Sequence, residues 1–246
     1  MNNNLKVIIL AAGQGKRLSS EQSDYPKVLR LLNGKALLGY VLDSLSFIRP
    51  DDRYLVVGFQ KEKVISQYKH QSHFCVQEKQ LGTGHAVMAC ENELKDTDCE
   101  IMVVYGDMPL FRQETFLEMI ESHRKSLAVC TVMTGVFNEI PAYGRIIRNE
   151  CGEIVQVIEV RDCKPEQLQI REVNVGVIVA NAKVLFDSLS KLRNDNAQKE
   201  YYLTDLTEIL IQKGLKVNTY VLKNVEEALG INTIEDLHRA ESILLS

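Results

Sequence analysis

Apolar residues along the chain fall into short runs of strand length, separated by segments in which they recur every three or four positions. The runs of the first half are 5–12 (LKVIILAA), 53–59 (RYLVVGF), 73–77 (HFCVQ) and 100–106 (EIMVVYG). Helical periods occupy 36–48, 62–68, 83–94 and 113–125, and in the last of these Phe116, Met119, Ile120 and His123 share one face. This β-α-β-α alternation predicts a mostly parallel sheet covered by helices. Beyond residue 126 the chain turns strand-rich, with runs at 127–136, 143–149, 153–160 and 172–180. Helical periods return at 182–192, 202–214 and 233–245, with a short strand at 216–222 before the last. No linker rich in Pro, Gly or Ser and no internal repeat divides the chain. The economical reading is a single α/β domain over 1–246, Rossmann-like, with a mostly parallel central sheet and an antiparallel insertion that supplies the second wall of a cleft.

Ligands of open α/β sheets bind outside the carboxyl ends of the strands, and Gly13, Gln77 and Asp107 fall just past such ends. The first belongs to VIILAAGQGKRL (7–18). Gly13 and Gly15 can take dihedrals closed to other residues and turn backbone N–H groups toward an anion, with Lys16 and Arg17 adding charge beside them. A phosphate cradle and a plain strand-to-helix turn with solvated cations both fit this stretch. Leu18 stands where G-x-G-x-x-G would have its third glycine, which disfavours a nicotinamide-dependent oxidoreductase, and no Walker-type loop follows a strand.

Composition narrows the classes. With 45% hydrophobic and 25% charged residues the chain is not disordered, and no apolar run approaches the roughly 18 residues of a membrane span, so a soluble protein without a membrane partner is expected. The start, MNNNLKV, leads straight into strand-like residues with no signal-peptide core, and a cytoplasmic location is the expectation. A net charge of −4 argues against a nucleic-acid partner. The six cysteines form no C-x-x-C pair and read as reduced structural thiols. His70, His73 and Cys75 lack a second pair of ligands, so no zinc is expected.

Further stretches complete a pattern: YPKVL (25–29), QEKQLGTGHAV (77–87), YGDMPL (105–110), YGRI (143–146), VIEVRD (157–162), EVNVG (172–176), NAQKEYYLTD (196–205) and GIN (230–232). In order and spacing, from residue 5 to about 240, they resemble the sugar-phosphate nucleotidyltransferases. Within that group they are most similar to the uridyltransferase half of the bacterial bifunctional N-acetylglucosamine-1-phosphate uridyltransferases. The resemblance implies a nucleotide-binding part at 1–126, a sugar-binding part at 127–232 that returns to a metal site, and a C-terminal helix at 233–246. It implies UTP and a sugar 1-phosphate as substrates and Mg2+ as cofactor. An oligomer is possible but not implied.

In such a reaction a sugar-phosphate oxygen attacks the α-phosphorus of a nucleoside triphosphate while pyrophosphate leaves in line, so alignment and charge handling dominate. The attacking phosphate, with a second pKa of about 6, needs no strong base near neutral pH. The resemblance places Arg17 on the triphosphate and Lys27 near the phosphoryl groups, and makes Asp107 and Asn232 the magnesium ligands, oxygen donors that suit a hard cation. It assigns the uracil to Gln77 and to the backbone of Gly82, Ala11 and Ala12, and counts Gly13, Thr83 and Gly106 among the substrate-binding positions. The acceptor sugar falls to Gly144, Glu159 and Asn174. His85 reads as structural, because the glycines before it already account for the turn. Tyr201 and Tyr202 fit either a ligand contact or a core pair opening a helix.

Two residues depart from the family pattern. Val175 stands where a threonine is usual and Arg161 where a lysine is common, which leaves the acceptor less defined than the donor. The acetyltransferase half, which builds the family's trimer, does not follow GIN in this sequence, and acetyl transfer is not expected. Transfer to another hexose 1-phosphate and a catalytically silent nucleotide-binding regulator stay open beside the leading reading.

Overall fold

The structure is a computed structural model that describes residues 4–15 and 25–245. Strand β1 (Leu5–Leu10) is followed by a small hairpin of β2 (Leu31–Leu32) and β3 (Lys35–Ala36), then α1 (Leu37–Ser44), β4 (Arg53–Val57), α2 (Lys61–Tyr68) and β5 (His73–Val76). The segment expected as one helix over 83–94 is two short ones, α3 (Thr83–Met88) and α4 (Glu91–Leu94). Next come β6 (Glu100–Tyr105), α5 (Gln113–Ser126), β7 (Cys130–Val136), β8 (Arg145–Arg148), β9 (Ile154–Ile158) and β10 (Glu172–Asn181). The chain closes with α6 (Ala182–Leu189), α7 (Asp205–Gln212), β11 (Val217–Val221) and α8 (Ile234–Leu245).

The main sheet runs β11-β7-β10-β6-β1-β4-β5, with β8 and β9 branching from β10. The pairs β1–β4, β1–β6, β4–β5 and β11–β7 are parallel, whereas β10 is antiparallel to both β6 and β7. Along this path β10 alone runs against the rest, so the sheet is mostly parallel. The β8–β9 hairpin, antiparallel to β10 through β8, rises from it as the inserted portion.

Both faces of the sheet are covered. On β1, Val7 and Ile9 pack into the layer that holds Phe116, Met119 and Ile120 of α5, while Ile8 and Leu10 face Ala86, Leu185 and Leu206 of α3, α6 and α7. Burial on both sides explains why this strand reads as a continuous apolar run and not as an alternation. The six thiols are free and those of Cys75, Cys90, Cys99 and Cys130 are buried. Burial pushes the Cys130 thiol up to about 12, which holds it neutral. No helix among the described residues is long and apolar enough to cross a membrane.

Candidate active site

Two adjoining cavities open at the carboxyl end of the parallel strands. The smaller, about 290 Å³, is lined by Ala12, Gly13, Gly15, Lys27, Gln77 and Gly82. The larger, about 580 Å³, is lined by Gly144, Glu159, Asn174, Tyr202 and Asn232. Thr83, Tyr105, Asp107 and Glu200 line both, so the two spaces meet over the end of β6.

Lys27 opens a single 3-10 turn, Lys27–Leu29, whose Val28 and Leu29 are buried at 2% and 1% exposure. Pro26 sets the entry, and Leu29 N donates to Pro26 O at 3.0 Å. The side chain is thereby aimed at the junction. Gly15, at φ +68°, comes so close that a Cβ there would lie 2.8 Å from Lys27 Cβ, and only glycine permits that approach. Lys27 Nζ donates to Asp107 Oδ2 and, at 2.8 Å, to Asn232 Oδ1.

Asp107 follows Gly106, whose N–H bonds Leu10 O at 2.9 Å as the last rung between β6 and β1. Asn232 reaches the same place from the far end of the chain. Ile231 N donates to Asp107 O at 3.0 Å, and Asn232 Nδ2 donates to Gly230 O at 3.1 Å, which turns the amide oxygen toward Lys27. Asp236 Oδ2 accepts from Asn232 N and Thr233 N at 2.8 Å each, while Thr233 Oγ1 accepts from Asp236 N at 3.1 Å. This reciprocal capping box opens α8 and locks the loop before it.

Because one ammonium contacts both Asp107 Oδ2 and Asn232 Oδ1, these two oxygens lie within reach of a single cation. A carboxylate and an amide oxygen, with the remaining positions open to phosphate and water, are a donor set that suits Mg2+. Among the described residues no group of three or more His, Cys, Asp or Glu side chains could cage a metal by itself.

Around the smaller cavity the hydrogen bonds organise Gln77. Its backbone N–H continues the sheet to Val57 O at 2.8 Å, and its Nε2 donates to Gly82 O and to His85 Nδ1, each at 3.1 Å. His85 thus orients Gln77, and burial lowers its pKa, favouring the neutral ring that this acceptor role requires. Gly82, at φ +109°, has no room for a side chain: a Cβ would meet Tyr201 O at 2.6 Å. The 196–205 segment docks here, through Gly84 N to Tyr201 O at 2.8 Å and Leu203 N to Thr83 Oγ1 at 3.1 Å. Tyr201 stacks on His85, whereas Tyr202 faces the larger cavity.

On the other side, Asn174 N donates to Gly144 O at 2.7 Å, and Asn174 Oδ1 accepts from Gly176 N at 3.0 Å. The ladder of β10 against β7 is irregular between Asn174 and Ile178, where Gly176, at φ +92°, lets the Tyr105 ring pass. Glu159 is pushed above the ordinary carboxylate range by burial, while Thr204 Oγ1, donating at 3.1 Å, pulls the other way.

The structure therefore brings together Ala12, Gly13, Lys27, Gln77, Gly82, Thr83, Asp107, Gly144, Glu159, Asn174 and Asn232. Ala11 and Gly106 line neither cavity: Ala11 is 1% exposed with its N–H on Val56 O, and Gly106 packs against Val28. Arg17 lies outside the described residues. Val175 is buried in the apolar core, and Arg161 is exposed in the turn after β9. Sequence reasoning missed Tyr105, Tyr143, Glu200, Asp236 and Arg239 as lining residues. Tyr105 had a signal, an aromatic ending an otherwise aliphatic strand beside Gly106 and Asp107. The Thr233–Asp236 spacing before a helical period was the signal for the cap.

UDP-glucose pyrophosphorylase in complex with UDP-glucose superposes with a TM-score of 0.75 at 16% identity, covering 98% of each chain. A glucose-1-phosphate thymidylyltransferase described as putative, from Bacillus anthracis, superposes at 0.73 with 20% identity, over 97% of this chain and 94% of that one. The fold is that of the nucleotide-sugar transferases. The MobA-like NTP transferase domain profile matches residues 7–201, and the chain belongs to that family. Among curated relatives, the bifunctional protein GlmU of Limosilactobacillus reuteri and that of Streptococcus thermophilus are each 40% identical over 237 residues, 96% of this chain. The chain spans about half the length of these relatives, 51% in both.

Proposed function

We propose that this chain, as one nucleotidyltransferase domain, transfers the uridylyl group of UTP to N-acetylglucosamine 1-phosphate, giving UDP-N-acetylglucosamine and pyrophosphate with Mg2+ as cofactor. The observation that carries the reading is the pair of cavities joined at Asp107, with Lys27 at the junction. Two substrates can lie end to end there. A phosphate oxygen of the acceptor forms a bond to the α-phosphorus, the bond from that phosphorus to its bridging oxygen breaks, and pyrophosphate departs with the electron pair. Lys27 and Arg17 stabilise the charge that builds on the phosphoryl oxygens. Asp107 and Asn232 would hold Mg2+, which would supply charge neutralisation and alignment of the phosphates. Gln77, fixed by His85, offers an amide to the imide edge of uracil, and Glu159 and Asn174 meet the sugar hydroxyls and the N-acetyl group.

The 40% identity to GlmU proteins and the motifs shared with their uridyltransferase half support this choice of donor and acceptor. A second reading, transfer to a different hexose 1-phosphate, is favoured by Val175, which puts a buried apolar side chain where the family usually has a hydroxyl. Pyrophosphate release, measured with four nucleoside triphosphates and a panel of sugar 1-phosphates, separates them. The proposal expects the highest kcat/KM with UTP and N-acetylglucosamine 1-phosphate. A preference for glucose 1-phosphate establishes the second reading, and UTP binding without turnover on any acceptor removes both.

A further inference from the structure

Of the side chains on described residues lining the larger cavity, Asp107, Glu159, Glu200 and Asp236 are acidic, and Arg239 is the single cation. A sugar phosphate is a dianion through most of the neutral range, and four carboxylates repel it. The existing bonds engage three of them: Asp107 with Lys27, Glu159 with Thr204, and Asp236 with the backbone that it caps. The side chain of Arg239 makes no hydrogen bond or ion pair with any described residue, so its guanidinium donors are available.

Its backbone is nevertheless well placed. Arg239 lies three residues after Asp236 on α8 and beside Ala240, whose full burial docks the helix against Leu110 and Ile231. Helical side chains lean toward the N-terminus of their helix, which directs this one back over the GIN loop. The charge of Arg239 acts on the Tyr143 hydroxyl, which accepts from Gly230 N at 3.1 Å. Arg239 thus lines the cavity together with Gly230, Asn232 and Asp107, near the junction where an acceptor must present its phosphate to the donor.

We propose that Arg239 binds the phosphate monoester of the acceptor with its planar fork of donors, as an acceptor-binding residue contributed by the C-terminal helix. Guanidinium groups match phosphate oxygens two at a time, which a lysine ammonium cannot do. The inference rests on the reading that the larger cavity takes a sugar 1-phosphate.

Steady-state kinetics of Arg239→Ala and Arg239→Lys, each substrate varied at saturating levels of the other, test it. For Arg239→Ala the KM for the sugar 1-phosphate should rise roughly tenfold to a hundredfold, the range for losing a hydrogen bond to a charged partner. The KM for UTP and kcat should stay within about twofold of wild type, since only ground-state binding of one substrate is removed. Arg239→Lys should recover part of the loss, and the difference between Arg239→Ala and wild type should persist at high salt. An unchanged acceptor KM in a folded Arg239→Ala protein overturns the proposal, as does an equal rise in both KM values. A defect erased by high salt and absent in Arg239→Lys also overturns it, because it would mark long-range steering without contact. A wild-type protein inactive with every sugar 1-phosphate removes the functional reading, and the assignment of Arg239 with it.

Discussion

At the scale of the residue, the site concentrates on one ammonium group and the two oxygens that meet it. Lys27 is held on a short turn by buried Val28 and Leu29 and closed in from the side by Gly15, so its position owes little to solvent. If it stabilises charge that develops in the transition state, Lys27→Ala should lower kcat and kcat/KM together by about a hundredfold, the effect of removing one electrostatic donor. Arginine should rescue poorly, because its larger planar head directs its donors differently from a compact ammonium. A raised KM for UTP with normal kcat would withdraw the catalytic role. Asp107→Asn tests the metal. Turnover at millimolar Mg2+ should fall more than about tenfold, beyond the loss that even an outer-sphere change brings. Thermal denaturation should barely shift, since Asp107 is only partly buried and its neutral replacement keeps an oxygen for Lys27. Near-normal turnover would mean that the metal is held elsewhere.

At the scale of the element, short local devices carry distant side chains to the junction. The capping box at the start of α8 serves both the helix and Asn232, whose own N–H is one of the groups that Asp236 accepts. Asp236→Ala should therefore cost about 1 kcal/mol of stability, the usual value for a lost cap. It should also raise the Mg2+ concentration needed for half-maximal rate, because the amide oxygen loses its fixed mount. Metal-activation curves recorded beside thermal melts decide this, and destabilisation with an unaltered Mg2+ requirement would confine Asp236 to the helix. The β2–β3 hairpin carries a comparable local signal that the periodicity reading passed over. Asn33-Gly34, at φ +48° and +80°, is the two-residue turn that hairpins favour, set between Leu31-Leu32 and Lys35-Ala36.

At the scale of the whole molecule, acidic side chains gather where the larger cavity meets α7. Burial, followed by the charges of Glu208, Glu159, Asp162 and Asp195, pushes the Asp205 carboxyl up to about 6. A carboxyl raised above its unfolded value favours the folded state in its protonated form. That contribution is complete below about pH 4 and is lost as pH rises through about 6. Asp205→Asn does not ionise, so its melting temperature relative to wild type should become more positive between pH 4 and pH 7. Melting curves across that range test the sign, and a difference that is flat or moves the other way would show that Asp205 is not strained by its neighbours.

What the sequence determined alone is what neighbouring residues decide among themselves. Apolar periods mark β1, β4, β5 and β6 because strand and helix burial repeat over a few positions. The ends of those runs locate Gly13, Gln77 and Asp107, since an apolar strand stops where the chain meets the cleft. Boundaries suffered where the period was ambiguous: 127–136 reads as one strand, yet Leu127 closes α5 in a left-handed conformation and β7 begins at Cys130. The convergence of Lys27, Asp107 and Asn232, 80 and 205 residues apart along the chain, was legible only through family resemblance, because no local pattern encodes distance across a fold. Tertiary structure alone decided that β10 enters antiparallel between β6 and β7, and that Asn174 and Glu159 line the larger cavity beside the smaller one. It also put Ala11 and Gly106 behind the cavity wall and left Arg239 over the larger cavity. The physical reason is the same in each case: which face of an element is covered, and by what, depends on partners that the chain supplies from elsewhere.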